Sequence, residues 1–436
     1  MAFQFSRIFL IPFLTIAIYI FISFFFEKRD ERKLPFLLAT LATGWGAWTN
    51  IFFHLIGHRP SEPTIDLSIV ESSTFFITYY SPHFIFSLLL IITTFALMLK
   101  SWETKKNIYS LLAGFTSLVL FQFHPYYVPT IWSVTGFFLL YIFIKNKKIN
   151  LKYIFSYLTL IFCSLPSVLY HLWTIKNFWI RYQHTIQNSL HTFSLSNVLL
   201  SFGGIFILGI IGIAVVLKTN KTEKNIFLII WTTTLIILMY FPLINYQRKL
   251  IESLNIPLAI LATYGIKTIK NKISGSLFFF KNPLIFWGLF FLIFLTTNLA
   301  IIISDINFFL TNKHTPFSSY MPKNIKEAIE WSKKLPDGVF LADFQNSNWI
   351  PAFSVKQVYM GHWGMTALAK EKILKQNFFF ELSSIEEQKQ FLKKNNIKYI
   401  FYSEDEKKFH NFNPDKLTLL SKIYDKNNIQ IYEVIN

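Results

Sequence analysis

Residues 83–99 read HFIFSLLLIITTFALML, without a single charge, and this stretch decides the class of the fold. A helix crosses the hydrocarbon core of a bilayer with about 20 mostly apolar residues, and this run, opened by Pro82, is of that kind. Before it lies an acidic and aromatic loop, HRPSEPTIDLSIVESSTFFITYYSPHF (58–84); after it comes a short lysine-rich one, KSWETKKN (100–107). Nine further segments share the apolar character: 8–26, 36–56, 108–123, 128–144, 153–173, 197–217, 226–243, 247–268 and 283–304. The first has no basic residue ahead of it beyond Arg7 and no small-residue cleavage site, so it reads as a span and not as a signal peptide. The segment 247–268 carries Arg248, Lys249, Glu252 and Pro257 and is expected to be tilted or broken. The expected fold class is an α-helical polytopic membrane protein with about ten transmembrane helices and a small C-terminal α/β soluble domain.

Composition agrees with this reading. The chain has 436 residues, of which 53% are hydrophobic, 19% aromatic and only 15% charged, whereas soluble domains carry about 25% charged residues. A net charge of +18 would suit a nucleic-acid binder, but its distribution argues against that. Residues 1–312 hold 24 Lys and Arg against 10 Asp and Glu, while residues 313–436 are nearly balanced at 18 against 14. The excess sits in the short loops 27–34, 100–107, 145–152, 218–225 and 267–281. The positive-inside rule places these in the cytoplasm. The aromatic loops 57–82, 124–127, 174–196 and 244–246, and everything after 305, then face outward. Ten spans with an outward C-terminus also put the N-terminus outside. That implies either a count off by one or an upstream segment with an odd number of spans. The lone Cys163 permits no intrachain disulfide and no cysteine metal site.

From residue 313 the character changes, giving two expected domains, a membrane body over 1–312 and an extracytoplasmic domain over 313–436. PKNIKEAIEWSKK (322–334) and SIEEQKQFLKKN (384–395) read as helices, the second opened by a capping box. GVFLAD (338–343), VYM (358–360) and IKYIFYS (397–403) read as strands, and the end of the chain reads as a hairpin around Asp425–Asn428. The stretch with Asn346, Asn348, Trp349 and Pro351 reads as a loop.

Ionisable groups near the outer boundary are the candidates for chemistry. Five acidic residues fall on that side: Glu62, Asp66, Glu71, Glu252 and Asp305. Asp66 and Glu71 share the loop 58–84, where a carboxylate serves as a general base or a divalent-metal ligand, or simply solvates the loop. His83 opens one span and His124 closes the next, beside Pro125-Tyr126-Tyr127, so both imidazoles belong at the outer boundary of neighbouring antiparallel helices. They suit acid–base work or phosphate binding, or equally interfacial anchoring. Arg248 and Lys249 stand on the side where positive charge is not expected, and arginine matches phosphate in a bidentate fashion. The alternative for Arg248 is snorkelling with Glu252 as its i,i+4 partner. The loop 174–196, with Trp179, Arg181, Tyr182, His184 and His191, and the loop Gly361-His362-Trp363-Gly364 carry weaker signals. Walker, dinucleotide, zincin and nucleophile-elbow motifs are all missing from the sequence.

Ser81-Pro82-His83-Phe84, His124-Pro125-Tyr126-Tyr127, Tyr246-Gln247-Arg248-Lys249-Leu250-Ile251-Glu252 with Pro257-Leu258-Ala259, Ile350-Pro351-Ala352 and Val358-Tyr359-Met360-Gly361-His362 together resemble the GT-C class of membrane glycosyltransferases. More narrowly they are similar to uncharacterised bacterial proteins near its mannosyl and lipopolysaccharide transferases. The resemblance implies sugar transfer from a polyprenyl-phosphate donor at the outer face of the cytoplasmic membrane, in envelope glycan or glycolipid assembly. It implies Asp66 or Glu71 as the catalytic carboxylate, often with a divalent metal ion, and Arg248 as the phosphate ligand. His83, His124, Tyr126 and Lys249 complete the expected substrate site. The class starts on the cytoplasmic side, crosses once and then presents its catalytic loop, so an outside start would make 57–82 a later loop than the catalytic one and the chain an N-terminally shortened or inactive relative. Expected partners are the lipid-linked sugar and membrane lipids, with no nucleic acid. The alternative is a non-catalytic scaffold or lipid-linked-sugar carrier of the same fold.

Overall fold

The computed structural model describes residues 2–58, 62–148, 150–273, 282–311, 321–381, 384–408 and 412–435. Arg59, the end of the basic loop 267–281 and the expected boundary at 312/313 lie outside the described residues. The chain folds as two compact units, one of Met1–Thr174 with Ser189–Leu310 and one of Ile175–Asn188 with Thr311–Asn436.

The first unit is a body of apolar helices, but its described residues do not form the ten full spans expected. Among the described residues five helices are long and apolar enough to cross a membrane: Ala2–Ser23, Pro82–Thr104, Pro125–Asn146, Leu151–Asn177 and Leu195–Thr219. A sixth counts if Leu284–Phe294 and Thr296–Thr311, bent by 61° to each other, form one span. The expected segments 108–123 and 226–243 become helices of 17 residues, Asn107–Phe123 and Glu223–Met239; at 1.5 Å per residue each covers only about 25 Å. The expected span 36–56 resolves into Arg29–Leu41 and Gly46–Leu55 with an extended break between them. The expected span 247–268 starts as a 3-10 turn, Gln247–Ile251, and becomes an α-helix only at Asn255–Ile273.

That last helix is the core of the unit, since every residue from 250 to 263 is buried. It lies against Leu195–Thr219 so closely that only glycine fits at the crossing. A Cβ on Gly212 would stand 1.8 Å from the Leu261 carbonyl oxygen, and one on Gly265 would stand 2.4 Å from that of Leu208. Small residues that let backbones meet are the usual means of joining helices in a medium as apolar as their own side chains. Ala2–Ser23 runs parallel to Pro82–Thr104. At one end the Arg7 guanidinium donates to the Tyr79 carbonyl. At the other, Phe24 and Phe25 line the same cavity as Trp102.

The second unit carries a five-stranded sheet, with β1 (Val339–Leu341), β2 (Gln357–Val358), β3 (Ile397–Tyr402), β4 (Leu420–Lys426) and β5 (Ile429–Val434) in the order β2-β1-β3-β5-β4. β2, β1 and β3 are parallel, and β3, β5 and β4 antiparallel. Both faces are covered, as parallel strands require: Tyr399 and Phe401 face Ile329 and Ile350, while Ile400 faces Phe380 and Leu392. The β4–β5 hairpin turns on Asn427 and Asn428, both at positive φ (53° and 63°), the backbone of a two-residue type I′ turn. Residues 344–354, expected as a loop, form the helix Phe344–Ser354. Its cap is Asp343, whose carboxylate accepts from the Gln345 amide, and Asn346 turns inward to donate to Ser403 at 2.9 Å and to Glu406 at 3.1 Å. A proline and two asparagines made the segment read as a loop, and buried hydrogen bonds outweigh them.

The glycine crossing gives a direct test. Gly212→Val should lower the thermal stability of the protein in detergent by about 1–3 kcal/mol or more, read by the melting of its far-UV dichroism. Gly288→Val, at a position where a Cβ meets nothing within 4 Å, should leave it unchanged. Equal melting of the two variants would show that the close crossing is not a determinant of stability.

Candidate functional site

Three short turns and two helix ends meet where Pro82–Thr104 begins. Glu71 lies on the 3-10 turn Val70–Ser72, Tyr126 on Pro125–Tyr127, and Arg248 and Lys249 on Gln247–Ile251. His83 sits in the first turn of Pro82–Thr104, and His124 follows the last residue of Asn107–Phe123.

These side chains form one cluster. Lys249 pairs with Glu71, both largely buried, and its ammonium stands 4.7 Å from the centre of the Phe84 ring and 6.0 Å from that of Tyr126. The His83 and His124 rings stack at 5.5 Å and 17°. The Tyr126 hydroxyl bonds His124 Nδ1, and Ser81 Oγ lies 2.9 Å from His83 Nδ1. Arg248 is held by its backbone, whose amide donates to the Leu190 carbonyl at 3.1 Å. Its Nε is buried and has no hydrogen-bond partner among the described residues. A buried guanidinium nitrogen without a partner, on the same turn as Lys249, is suited to an incoming anion. Glu252, expected as an i,i+4 partner of Arg248, is instead fully buried and accepts from Ser87 Oγ at 2.7 Å, its second oxygen without a partner. The 3-10 turn removes the helical spacing that such a pair needs. Tyr246, with its ring 6.1 Å from that of Tyr126, joins the same cluster.

Asp66 belongs to a different construction. It lies on the four-residue helix Ile65–Ser68, and its Oδ2 accepts from the Gly46 amide at 2.9 Å, capping Gly46–Leu55 from a distant part of the chain. Around that cap three helices are interrupted together. Leu195–Thr219 is kinked at Gly203 (φ 46°), against the Trp45 ring, and Leu284–Phe294 turns into Thr296–Thr311. Each break supplies what another has lost. The Trp45 amide donates to the Leu200 carbonyl at 2.9 Å and the Thr43 amide to that of Phe294 at 2.9 Å, while Thr297 Oγ1 donates to the Gly44 carbonyl at 2.9 Å. Asn197 and Ser201 accept from the Ile65 amide at 3.1 and 2.8 Å. A cleft of about 200 Å³ beside it is lined by Gly46, Asn50, Glu62, Thr64 and Asn197. None of these polar residues within apolar runs drew attention in the sequence, although Thr43-Gly44, Gly203-Gly204 and Asn298 were the readable signs.

Two of the remaining candidates have plain structural partners. Asp305 accepts from the Tyr80 hydroxyl at 2.6 Å. In the second unit His184 contacts the Met365 carbonyl at 2.5 Å, and Asn188 donates to that of Gly364 at 2.9 Å, so the helix Trp179–Gln187 holds the 361–364 loop. Among the described residues no three His, Cys, Asp or Glu converge on one point. The described donor set therefore does not make a metal cage.

With this geometry in hand, comparison with known proteins shows the fold. No protein-family profile and no curated protein sequence matches the chain. Solved structures do. A crystal structure of the oligosaccharyltransferase of Archaeoglobus fulgidus, tethered through a disulfide to an acceptor peptide containing the NVT sequon, aligns over 89% of this chain and 56% of its own, with a TM-score of 0.54 and 13% identity. The same enzyme complexed with zinc and sulfate aligns over 89% and 54%, with a TM-score of 0.50 and 13% identity. The chain thus shares the fold of this oligosaccharyltransferase, over little more than half the length of the structures it matches.

Asp66 yields a pH prediction. Burial pushes its carboxyl from the ordinary 3.8 up to about 6, with the Gly46 amide opposing. The folded state then holds the proton more tightly than the unfolded one. Stability from this group is complete below about pH 4 and is lost as pH rises to about 6, a change of about 3 kcal/mol. Asp66→Asn, which can still accept from Gly46, should abolish that slope. Thermal melts of both proteins between pH 4 and 7 measure it, and parallel curves would refute the buried, protonated carboxyl.

Proposed function

We propose that this protein is a GT-C-type glycosyltransferase that moves a sugar or oligosaccharide from a polyprenyl-phosphate carrier at the outer face of the cytoplasmic membrane, in envelope glycan or glycolipid assembly. The observation that carries the proposal is Arg248, a half-buried residue with an unpartnered Nε, on the same turn as Lys249, whose ammonium meets Glu71 and the Tyr126 ring next to the His83–His124 stack. In this reading Arg248 takes the donor phosphate. Lys249 moves from Glu71 to the same phosphate as negative charge builds on the leaving group. Glu71, released, accepts the proton of the attacking acceptor group. His83, His124 and Tyr126 form a wall that binds the sugar and orients the phosphate. The domain 313–436 lies outside in this reading, on the side of the aromatic loops, and membrane lipids surround the body. The kinship with mannosyl and lipopolysaccharide transferases belongs to the same proposal, on the strength of the sequence motifs.

The second reading, a non-catalytic carrier or scaffold for a lipid-linked sugar, is favoured by the use of Asp66 as a helix cap and of Glu71 as the partner of Lys249. Vesicles containing the purified protein and a polyprenyl-phosphate-linked sugar distinguish the two. On the first, radiolabel moves to an acceptor, and Arg248→Ala reduces the rate about 10²–10³-fold, as does loss of one charge-stabilising donor elsewhere, with melting temperature unchanged. Transfer at the full rate by Arg248→Ala would overturn the phosphate assignment. Binding of the carrier without turnover by the wild-type protein would establish the second reading instead.

A further inference from the structure

At the opposite end of Pro82–Thr104 from His83 lies a cavity of about 550 Å³. The helix has 23 residues, so at 1.5 Å per residue the two ends stand about 33 Å apart, and the cavity shares nothing with the cluster around Arg248. Its floor is aromatic, with Phe24, Trp102 and Phe138, the last two at 4.8 Å between ring centres. The rim comes from the lysine-rich loops 100–107, 145–152 and 218–225 and the first turn of Glu223–Met239. Two ion pairs fix the mouth by tying three helices together, Lys145 to Glu223 at 2.9 Å and Lys224 to Glu103 at 3.0 Å. Lys105 and Lys221, also on the rim, make no ion pair among the described residues, and they outnumber the one unpaired carboxylate there, Glu27. Trp102 keeps its indole N–H without a partner among the described residues.

We propose that this cavity binds an amphipathic phosphate, with the phosphate on Lys105 and Lys221 beside the opening turn of Glu223–Met239 and the apolar part over Trp102 and Phe138. Three features of the site match that chemistry. Ammonium groups without an ion-pair partner and the positive end of a helix dipole both favour an anion. An aromatic floor rewards an apolar group and excludes a bare inorganic ion's full hydration shell. The ion pairs hold the walls before any ligand arrives, which lowers the ordering cost of binding. The ligand comes either from a phospholipid of the surrounding leaflet or from a soluble organic phosphate. The site serves in either case as a contact on the basic-loop side, independent of the proposed sugar transfer.

The full-length protein tests this with two probes. Native mass spectrometry after exchange into phosphatidylglycerol–phosphatidylcholine nanodiscs reads lipid retention, and thermal shift with phenyl phosphate reads the soluble source. Wild type and Lys105→Arg/Lys221→Arg should retain phosphatidylglycerol over phosphatidylcholine. Lys105→Glu/Lys221→Glu should weaken retention about tenfold or more, the loss expected for a charge-assisted hydrogen bond. If phenyl phosphate instead raises the melting temperature of the wild type and not of the double glutamate variant, the ligand is soluble and the site stands. Equal lipid retention and equal thermal response in the wild type and the glutamate variant would overturn it. Both lysines are exposed, so their substitution leaves the fold intact, and the variant's melting temperature without ligand checks this.

Discussion

A backbone group released from a helix in an apolar medium has no water to turn to, and each one left alone costs several kcal/mol. The first unit breaks three helices under that constraint, at 42–45, at Gly203 and at Leu295. It does so in one place, so that Trp45 answers Leu200, Thr43 answers Phe294, and Thr297 bridges Gly44 and Ala47. None of these breaks would be tolerable alone. Their meeting point also fixes Asp66, which closes the last open amide of Gly46–Leu55. The loop that follows is thereby held at both ends, and Glu71 is delivered toward Lys249 by geometry that begins at a helix break.

The two loop carboxylates illustrate how one sequence signal divides into two physical roles. Asp66 and Glu71 are five residues apart and read alike as acids in an outer loop. In the structure one is buried against an amide and the other against an ammonium. An amide neutralises little of a carboxylate's charge, so burial dominates and Asp66 favours its proton. A cation neutralises it directly. The difference arises from contacts with residues twenty positions upstream in one case and almost two hundred downstream in the other.

The sequence revealed helices and sheet elements wherever the pattern was local. The strand run IKYIFYS and the capping box at Ser384 are of this kind, and so is the pairing of His83 with His124, which needs only that consecutive helices run antiparallel. It failed where the decision was non-local. Residues 36–56 are apolar enough for a span, yet Gly44 meets the Ser201 carbonyl and the helix parts there. Residues 247–268 look too polar for an ordinary span and turn out to contain the most enclosed helix of the body, shielded by its neighbours from any lipid. Hydropathy measures what a segment prefers in isolation, and both errors come from partners that it does not see.

The turn that carries Arg248 leads through Ser253, at positive φ (76°), into the buried first half of Asn255–Ile273. Glu71 rides on the three-residue turn Val70–Ser72, where Glu71 and Ser72 are buried as well. The Lys249–Glu71 pair is therefore clamped from both sides, by the core helix behind the lysine and by the loop that Asp66 anchors behind the carboxylate.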